Sequence, residues 1–259
     1  MEELRGGRAN SIFRSEDKIY RPKGKWSAAV HKLLLHLKNE GFDAAPESYG
    51  FDENGNEVLS YVHGDVFNYP LKGNIATKEA LISAGRLLRK YHDASRSFIS
   101  RLSLEKSEWM HPGREPMEVI CHGDYAPYNV VLQGNQTVGI FDFDTAHPAP
   151  RIWDIAYAVY CWAPFKTHEY DALGDLNSQS IRAKQFCDAY GLCNVDREVL
   201  VMTMIDRVQA LVDHMHSEAS NGNEAFIENI RDGHHLAYLA DIEYLRKNTD
   251  QITQSLLSE

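Results

Sequence analysis

VICHGDYAPYNVVLQGNQTVGIFDFDTAHPAPRIWDIAYAVY, residues 119–160, decides the fold. Val119, Ile120 and Cys121 form an apolar run that predicts a short buried strand stopping at His122-Gly123-Asp124. Gly123 relaxes the backbone there, so the Asp124 carboxylate can be aimed out of the turn. Asn129 follows five residues later. Val130-Val131-Leu132, a Gly134-Asn135 turn and residues 137–141 then predict strands that end in Asp142. Two hairpin strands are thus expected to bring Asp124, Asn129 and Asp142 to one end.

An Asp, an Asn five positions on and a second Asp beyond a hairpin suit phosphoryl transfer to a hydroxyl. One carboxylate accepts the proton of the attacking hydroxyl, while the amide oxygen and the other carboxylate hold Mg²⁺ on nucleotide phosphates. Hard oxygen donors suit Mg²⁺, which keeps several waters and takes one or two protein groups. Each residue alone reads more simply as a turn former. His122-Gly123-Asp124-Tyr125-Ala126-Pro127-Tyr128-Asn129 resembles the HGDxxxxN loop of the aminoglycoside phosphotransferase family, small-molecule relatives of the protein kinases. Ile140-Phe141-Asp142-Phe143-Asp144 resembles that family's metal-binding segment, and Trp153-Asp154-Ile155-Ala156 its DLA-like helix start. The resemblance implies a catalytic role for Asp124, metal-binding roles for Asn129 and Asp142, and bracing of the loop by His122 and Asp154. Asp144 is left as either a second metal contact or a support.

Upstream, Gly6-Gly7 read as a flexible turn, residues 10–14 and 18–21 as strands about a Glu16-Asp17 turn, and Pro22 as their end. A surface hairpin accounts for these residues. The resemblance implies more, namely that Gly6 and Gly7 cover the nucleotide phosphates and that Arg21 supplies charge where the family carries a lysine. Ser27 reads as the N-cap of a helix reaching about residue 39, with Gly41 beyond it. The family's partner glutamate on that helix would fall near Val30 or His31, so the usual ion pair is missing. Strands at 47–50 and 57–62 flank the turn Asp52-Glu53-Asn54-Gly55, and Ser60, Tyr61 and Val62 resemble the hinge that meets the nucleotide base.

Residues 77–96 carry a helical apolar stripe, Ala80, Leu81, Ala84, Leu87, Leu88 and Tyr91, and residues 97–117 read as a surface loop. Helices are expected from Asp154 to about 161, over 175–190 and 196–217, and over 223–247 with a kink or split at Gly233. Tyr157, Trp162, Asp206 and Asp213 are candidate acceptor-pocket residues, with core packing or helix surface as the simpler reading.

The 259 residues, 43% hydrophobic and 25% charged, are those of an ordinary globular protein. No run approaches the ~18 apolar residues of a membrane span and the N-terminus lacks a signal peptide's apolar core, so a cytoplasmic location is expected. Cys121, Cys161, Cys187 and Cys193 lack zinc-site spacing and predict reduced, mostly buried thiols, with no structural metal. A net charge of −10 argues against nucleic-acid binding. Nearly all the excess lies beyond Gly64, 18 basic against 27 acidic residues, which would suit a cationic acceptor or reflect solvated helix faces.

The fold expected is α+β, a bilobal protein kinase-like arrangement. A small β-rich N-terminal nucleotide-binding lobe covers 1–62, and a mainly helical catalytic and substrate-binding lobe covers 63–259. The function expected is phosphorylation of a small molecule's hydroxyl with ATP or GTP and Mg²⁺. The alternative is a catalytically impaired nucleotide- or ligand-binding member of the same fold, serving immunity or regulation. A metal-dependent phosphohydrolase using His122, Asp124, Asp142 and Asp144 shares the residue types but not the spacing.

Overall fold

A computed structural model describes residues 2–4, 12–102 and 108–258. The N-terminal sheet is antiparallel in the order β1-β2-β3-β5-β4, from β1 (Glu2–Leu4), β2 (Ile12–Ser15), β3 (Lys18–Pro22), β4 (Ser48–Phe51) and β5 (Asn56–Ser60). The register places Arg21 of β3 opposite Glu57 of β5. Between them runs α1 (Ser27–Asn39), whose Val30, Leu33, Leu34 and Leu37 are buried. Thirteen residues make a marginal helix in water, so burial of this stripe, about 2 kcal/mol for each large side chain, stabilises it. Ser27 is the first helical residue rather than the cap. Its hydroxyl accepts from Gly24 N–H and donates to Glu57.

Beyond β5 the chain crosses to the C-terminal lobe and pairs Asp65 with Leu132 through two backbone hydrogen bonds of 2.8 and 2.9 Å. The long α2 (Lys78–Leu102) follows, with Leu81, Ala84, Leu88 and Tyr91 wholly buried. It runs past the expected end near 96, because no proline intervenes before Pro112 and Phe98 continues its buried face. The catalytic stretch supplies β6 (Val119–Cys121), β7 (Val130–Gln133), β8 (Gln136–Ile140) and β9 (His147–Ala149). β7 and β8 form the expected hairpin, but β6 pairs with β9, a strand that the prolines at 148 and 150 conceal in the sequence.

The remainder is helical: α3 (Arg151–Trp162), α4 (Leu176–Tyr190), α5 (Asn194–Ser220), α6 (Glu224–Arg231) and α7 (His234–Leu257). Asp175 caps α4 by accepting from Ser178 N–H. Gly233, at φ 78°, separates α6 from α7 as its position suggested. One apolar core runs from α1 through α2, the catalytic strands, α3, α4 and α5 to α7. Cys121, Cys161 and Cys187 are buried, Cys193 is exposed, and all four are free thiols. Among the described residues no helix is long and apolar enough to cross a membrane.

The lobes meet closely at Gly139 of β8. A Cβ there would lie 2.5 Å from Val62 Cγ1 and 2.8 Å from Val131 Cγ2. Gly139→Ala is expected to lower unfolding free energy by about 1–3 kcal/mol through this overpacking. A denaturation midpoint equal to the wild type would contradict that contact.

Candidate active site

The loop between β6 and β7 is built on Gly123, at φ +82°, where any Cβ would collide with the Thr145 carbonyl. Asp124 follows. Its Oδ1 accepts from Tyr128 Oη (2.8 Å), and Asn129 Nδ2 donates both to its Oδ2 and to its backbone oxygen, each at 2.9 Å. With Nδ2 so engaged, Asn129 Oδ1 has no partner among the described residues. Burial raises the Asp124 carboxyl above its ordinary value, opposed by the Tyr128 hydrogen bond and by His122, and assisted by the charge of Asp142. A carboxylate raised in this direction is a better proton acceptor.

A second, deeper carboxylate holds the loop. Asp154, in the first turn of α3, is wholly buried and accepts from His122 N–H (2.7 Å), Gly123 N–H (2.9 Å) and His92 Nε2 (3.0 Å). Burial drives its pKa upward, but the hydrogen bond and charge of His92, the charge of His122 and the Gly123 N–H outweigh it, leaving the pKa at about 2. Burial lowers the pKa of His92, opposed by its hydrogen bond to Asp154 and the charge there, and its Nδ1 lies 2.8 Å from Tyr190 Oη. His122 is likewise oriented. Its Nδ1 accepts from Asp124 N–H (3.3 Å), so Nε2–H donates to Phe141 O (3.0 Å), fastening the loop to the segment that carries Asp142.

Asp142, two residues past β8, stands in the left-handed region at φ 63°, a conformation that costs a non-glycine residue energy and turns its carboxylate toward the N-terminal sheet. There it meets Arg21. The guanidinium touches three carboxylates: Nη1 lies 3.3 Å from Asp142, Nη2 2.5 Å from Asp144, and Nε 2.9 Å from Glu57, the last an ion contact without hydrogen-bond alignment. Burial lowers the Arg21 pKa, but Asp144, Glu57 and Asp142 together more than compensate, and the group stays charged. The missing glutamate is therefore replaced from another element. Glu57 reaches Arg21 across the β3–β5 ladder, and His31, at the helix position considered for the glutamate, binds it at 3.1 Å. Burial raises the Glu57 carboxyl, but His31, Arg21 and Ser27 pull it below its ordinary value.

The other sequence-derived candidates divide. Gly6 and Gly7 lie outside the described residues. Ser60 N–H donates to Glu47 O and Tyr61 N–H to Asp17 O, which occupies those two hinge donors, whereas Val62 N–H has no partner among the described residues. Tyr157 borders the site, its hydroxyl 3.4 Å from that of Tyr128. Trp162 is core, packed near Tyr125 and Phe186, and Asp206 and Asp213 are exposed on α5. Glu57, His31 and Tyr128 escaped the sequence reading. For Tyr128 the signal was present, four residues after Asp124 in the loop itself.

The donor set was tested for the Mg²⁺ that the resemblance implies. A partnerless Asn129 Oδ1 and a half-exposed Asp142 carboxylate are hard oxygens at one end of the hairpin, and they fit such an ion. Among the described residues no group of three or more His, Cys, Asp or Glu could hold a metal alone, so the remaining ligands would come from phosphate and water.

A small antiparallel sheet joined to a helical lobe, with an acidic loop and an acidic segment at their junction, defines the kinase-like fold. Solved structures agree. A choline/ethanolamine kinase family protein from Mesorhizobium loti superposes with a TM-score of 0.64 at 16% identity, covering 98% of this chain and 91% of that one. APH(2″)-IIIa in complex with GDP and kanamycin gives 0.55 at 14% identity, covering 96% and 93%. By sequence, residues 99–190 match the phosphotransferase enzyme family (APH). The trifolitoxin immunity protein of Rhizobium leguminosarum bv. trifolii is 33% identical over 212 residues, 78% of each chain. The chain belongs to the phosphotransferase enzyme family.

The Asp154 brace has a pH signature. Its folded pKa of about 2 lies below its ordinary 3.8, so ionisation favours the folded state. The contribution is complete above the unfolded value and is lost as pH falls through the folded one. It amounts to about 2 kcal/mol. Asp154→Asn is expected to flatten the rise of stability between about pH 2 and 5, read from denaturant unfolding at each pH. An acid limb identical to the wild type would exclude Asp154 as its source.

Proposed function

We propose that this protein transfers the γ-phosphoryl group of ATP or GTP to a hydroxyl of a small molecule. The observation that carries this is the joint placement of Asp124, Asn129 and Asp142, with Asn129 Oδ1 left open. In this reading the lobe to residue 62 binds the nucleotide, with Val62 at the base, and residues 63–259 bind the acceptor. Asp124 orients the acceptor O–H and takes its proton as oxygen attacks the γ-phosphorus. The new O–P bond forms as the bond to the β-phosphate oxygen breaks and nucleoside diphosphate leaves. Asn129 and Asp142 would hold Mg²⁺, which when bound supplies charge neutralisation of the phosphates. Arg21, kept in place by Glu57, would turn Nη1 and Nη2 from Asp142 and Asp144 toward those phosphates. Relatives solved with GDP and kanamycin, or named choline/ethanolamine kinases, are consistent with a nucleotide and a small hydroxyl acceptor.

Two observations favour a second reading. All three nitrogens of Arg21 face carboxylates, so the nucleotide site is neutralised internally, and a relative at 33% identity is named an immunity protein. A member that binds a nucleotide or a toxic ligand without turnover would fit both facts.

Thermal-shift titration with ATP and GTP, with and without Mg²⁺, tests the nucleotide site, because a ligand bound by the folded state alone raises the melting temperature, and turnover then separates the two readings. Asp142→Ala is expected to abolish the Mg²⁺-dependent part of the rise. A titration matching the wild type would remove Asp142 from the metal site. In assays of nucleoside diphosphate release, Asp124→Ala is expected to lower turnover by about 10²–10⁴-fold while sparing nucleotide binding. Nucleotide binding with no turnover on any hydroxyl acceptor would favour the second reading.

A further inference from the structure

On the acceptor side of Asp124 a run of tyrosines carries two cations that lack a carboxylate partner among the described residues. Tyr128, bonded to Asp124, packs edge-on against Tyr69 at 6.2 Å between ring centroids. Tyr69 in turn faces Lys166, in the segment after α3. Lys166 Nζ lies 3.7 Å from the Tyr160 ring centroid, 5.4 Å from that of Tyr238 and 5.9 Å from that of Tyr69. In the other direction the Tyr128 hydroxyl meets that of Tyr157, over whose ring stands the Arg207 guanidinium at 4.5 Å. Arg207 is 92% buried, donates from Nη2 to Gly123 O at 2.6 Å, and leaves Nε without a partner.

Three carboxylates act on Lys166 from beyond ion-pair distance, Asp241, Asp171 and Asp124, and the first of them is already engaged. Asp241 of α7 accepts from Tyr160 Oη (2.6 Å) at one oxygen and from Thr167 N–H (2.7 Å) and Oγ1 (2.8 Å) at the other. Lys166 therefore has three donors, an aromatic cage and, among the described residues, no counter-ion within 4 Å. Burial lowers its pKa, opposed by Cys161, Asp241, Asp171 and Asp124, as an ammonium without a close counter-ion requires. Cation–π contact stabilises a desolvated ammonium by about 2 kcal/mol and leaves its N–H groups free for an anion. A cationic acceptor would find the cage filled by the chain's own ammonium and would be repelled. The acidic balance of the whole chain does not change this, because distant surface charge is screened over about 8 Å.

Resting on the phosphotransferase reading, we propose that the acceptor carries a carboxylate as well as its reacting hydroxyl, and that Lys166 binds that carboxylate. Arg207 adds positive potential at the opposite end of the tyrosine run, next to the loop carbonyl it holds. The assignment makes Lys166 a specificity residue, and it exchanges the cationic acceptor suggested by overall charge for an anionic one.

Three probes that share a diol and differ only in the terminal group test this: glycerate, glyceramide and 3-aminopropane-1,2-diol. With Mg²⁺-nucleotide saturating, diphosphate release and melting temperature are measured for each. Wild type is expected to prefer glycerate by roughly tenfold or more, as a charge-assisted contact implies. Lys166→Met, which keeps the aliphatic packing, should lose the preference, and Lys166→Arg should retain most of it. Preference for the amide or the amine, equal response to all three probes, or an unchanged preference in Lys166→Met would overturn the proposal. Wild-type selectivity decides the matter even if a variant fails to fold. Absence of any Mg²⁺-nucleotide shift would instead bring down the phosphotransferase reading and this inference with it, whereas a nucleotide shift without carboxylate selection brings down the inference alone.

Discussion

A carboxylate with no access to water, Asp154, fixes the geometry on which the site depends. It accepts from two consecutive peptide N–H groups at 122 and 123, where the chain leaves β6 and turns through the left-handed Gly123. Removing such an acceptor would leave two buried donors unsatisfied, each costing about 1–3 kcal/mol. His92 orients the carboxylate from α2, Tyr190 orients His92 from α4, and Arg151 Nη1 supports the Tyr190 hydroxyl at 3.3 Å. Three helices thus hold one turn of backbone, and Asp124, its next residue, inherits their rigidity.

From that turn the order passes outward along hydrogen bonds. His122 binds Phe141 O, so the loop is tied to the segment just past β8, and Asp142 follows at the next residue. Arg21 then joins this body to the N-terminal sheet through Asp142 and Asp144, with Glu57 and His31 behind it. The two lobes are therefore linked by packing at Gly139 and Val62 and by charge at Arg21. Packing at such a contact is insensitive to ligands, whereas the charge link would respond to any anion or cation entering the cleft.

The site has two electrostatic sides. Toward the N-terminal sheet, three carboxylates surround one arginine; toward the helical lobe, Lys166 and Arg207 stand among tyrosines with no ion-paired carboxylate among the described residues. Asp124 lies between, its own carboxyl raised by burial. In a chain of net charge −10 these two cations thus lack a carboxylate at contact distance among the described residues, while Asp241, Asp171 and Asp124 act on Lys166 from farther away.

Much of this was legible in the order of residues. The hairpin, the long helices, the break at Gly233 and the loop holding Asp124 and Asn129 follow from local rules, since periodicity, turn chemistry and glycine placement act within a few residues. The pairing of β6 with β9 did not, because two prolines mask the strand, and α2 outran its expected end because Phe98 finds a buried site that local polarity does not announce. The partner of Arg21 was beyond local reading altogether. A search along α1 found no glutamate, while Glu57, 36 positions from Arg21, became its neighbour through strand register. Lys166 and its tyrosines come likewise from four separate segments. The sequence by itself determined that Asp124 and Asn129 share one loop and that Asp142 follows a hairpin strand beside it. The tertiary structure alone decided which charges were paired and which were left open, because pairing depends on angstrom-scale distances between elements that no local pattern encodes.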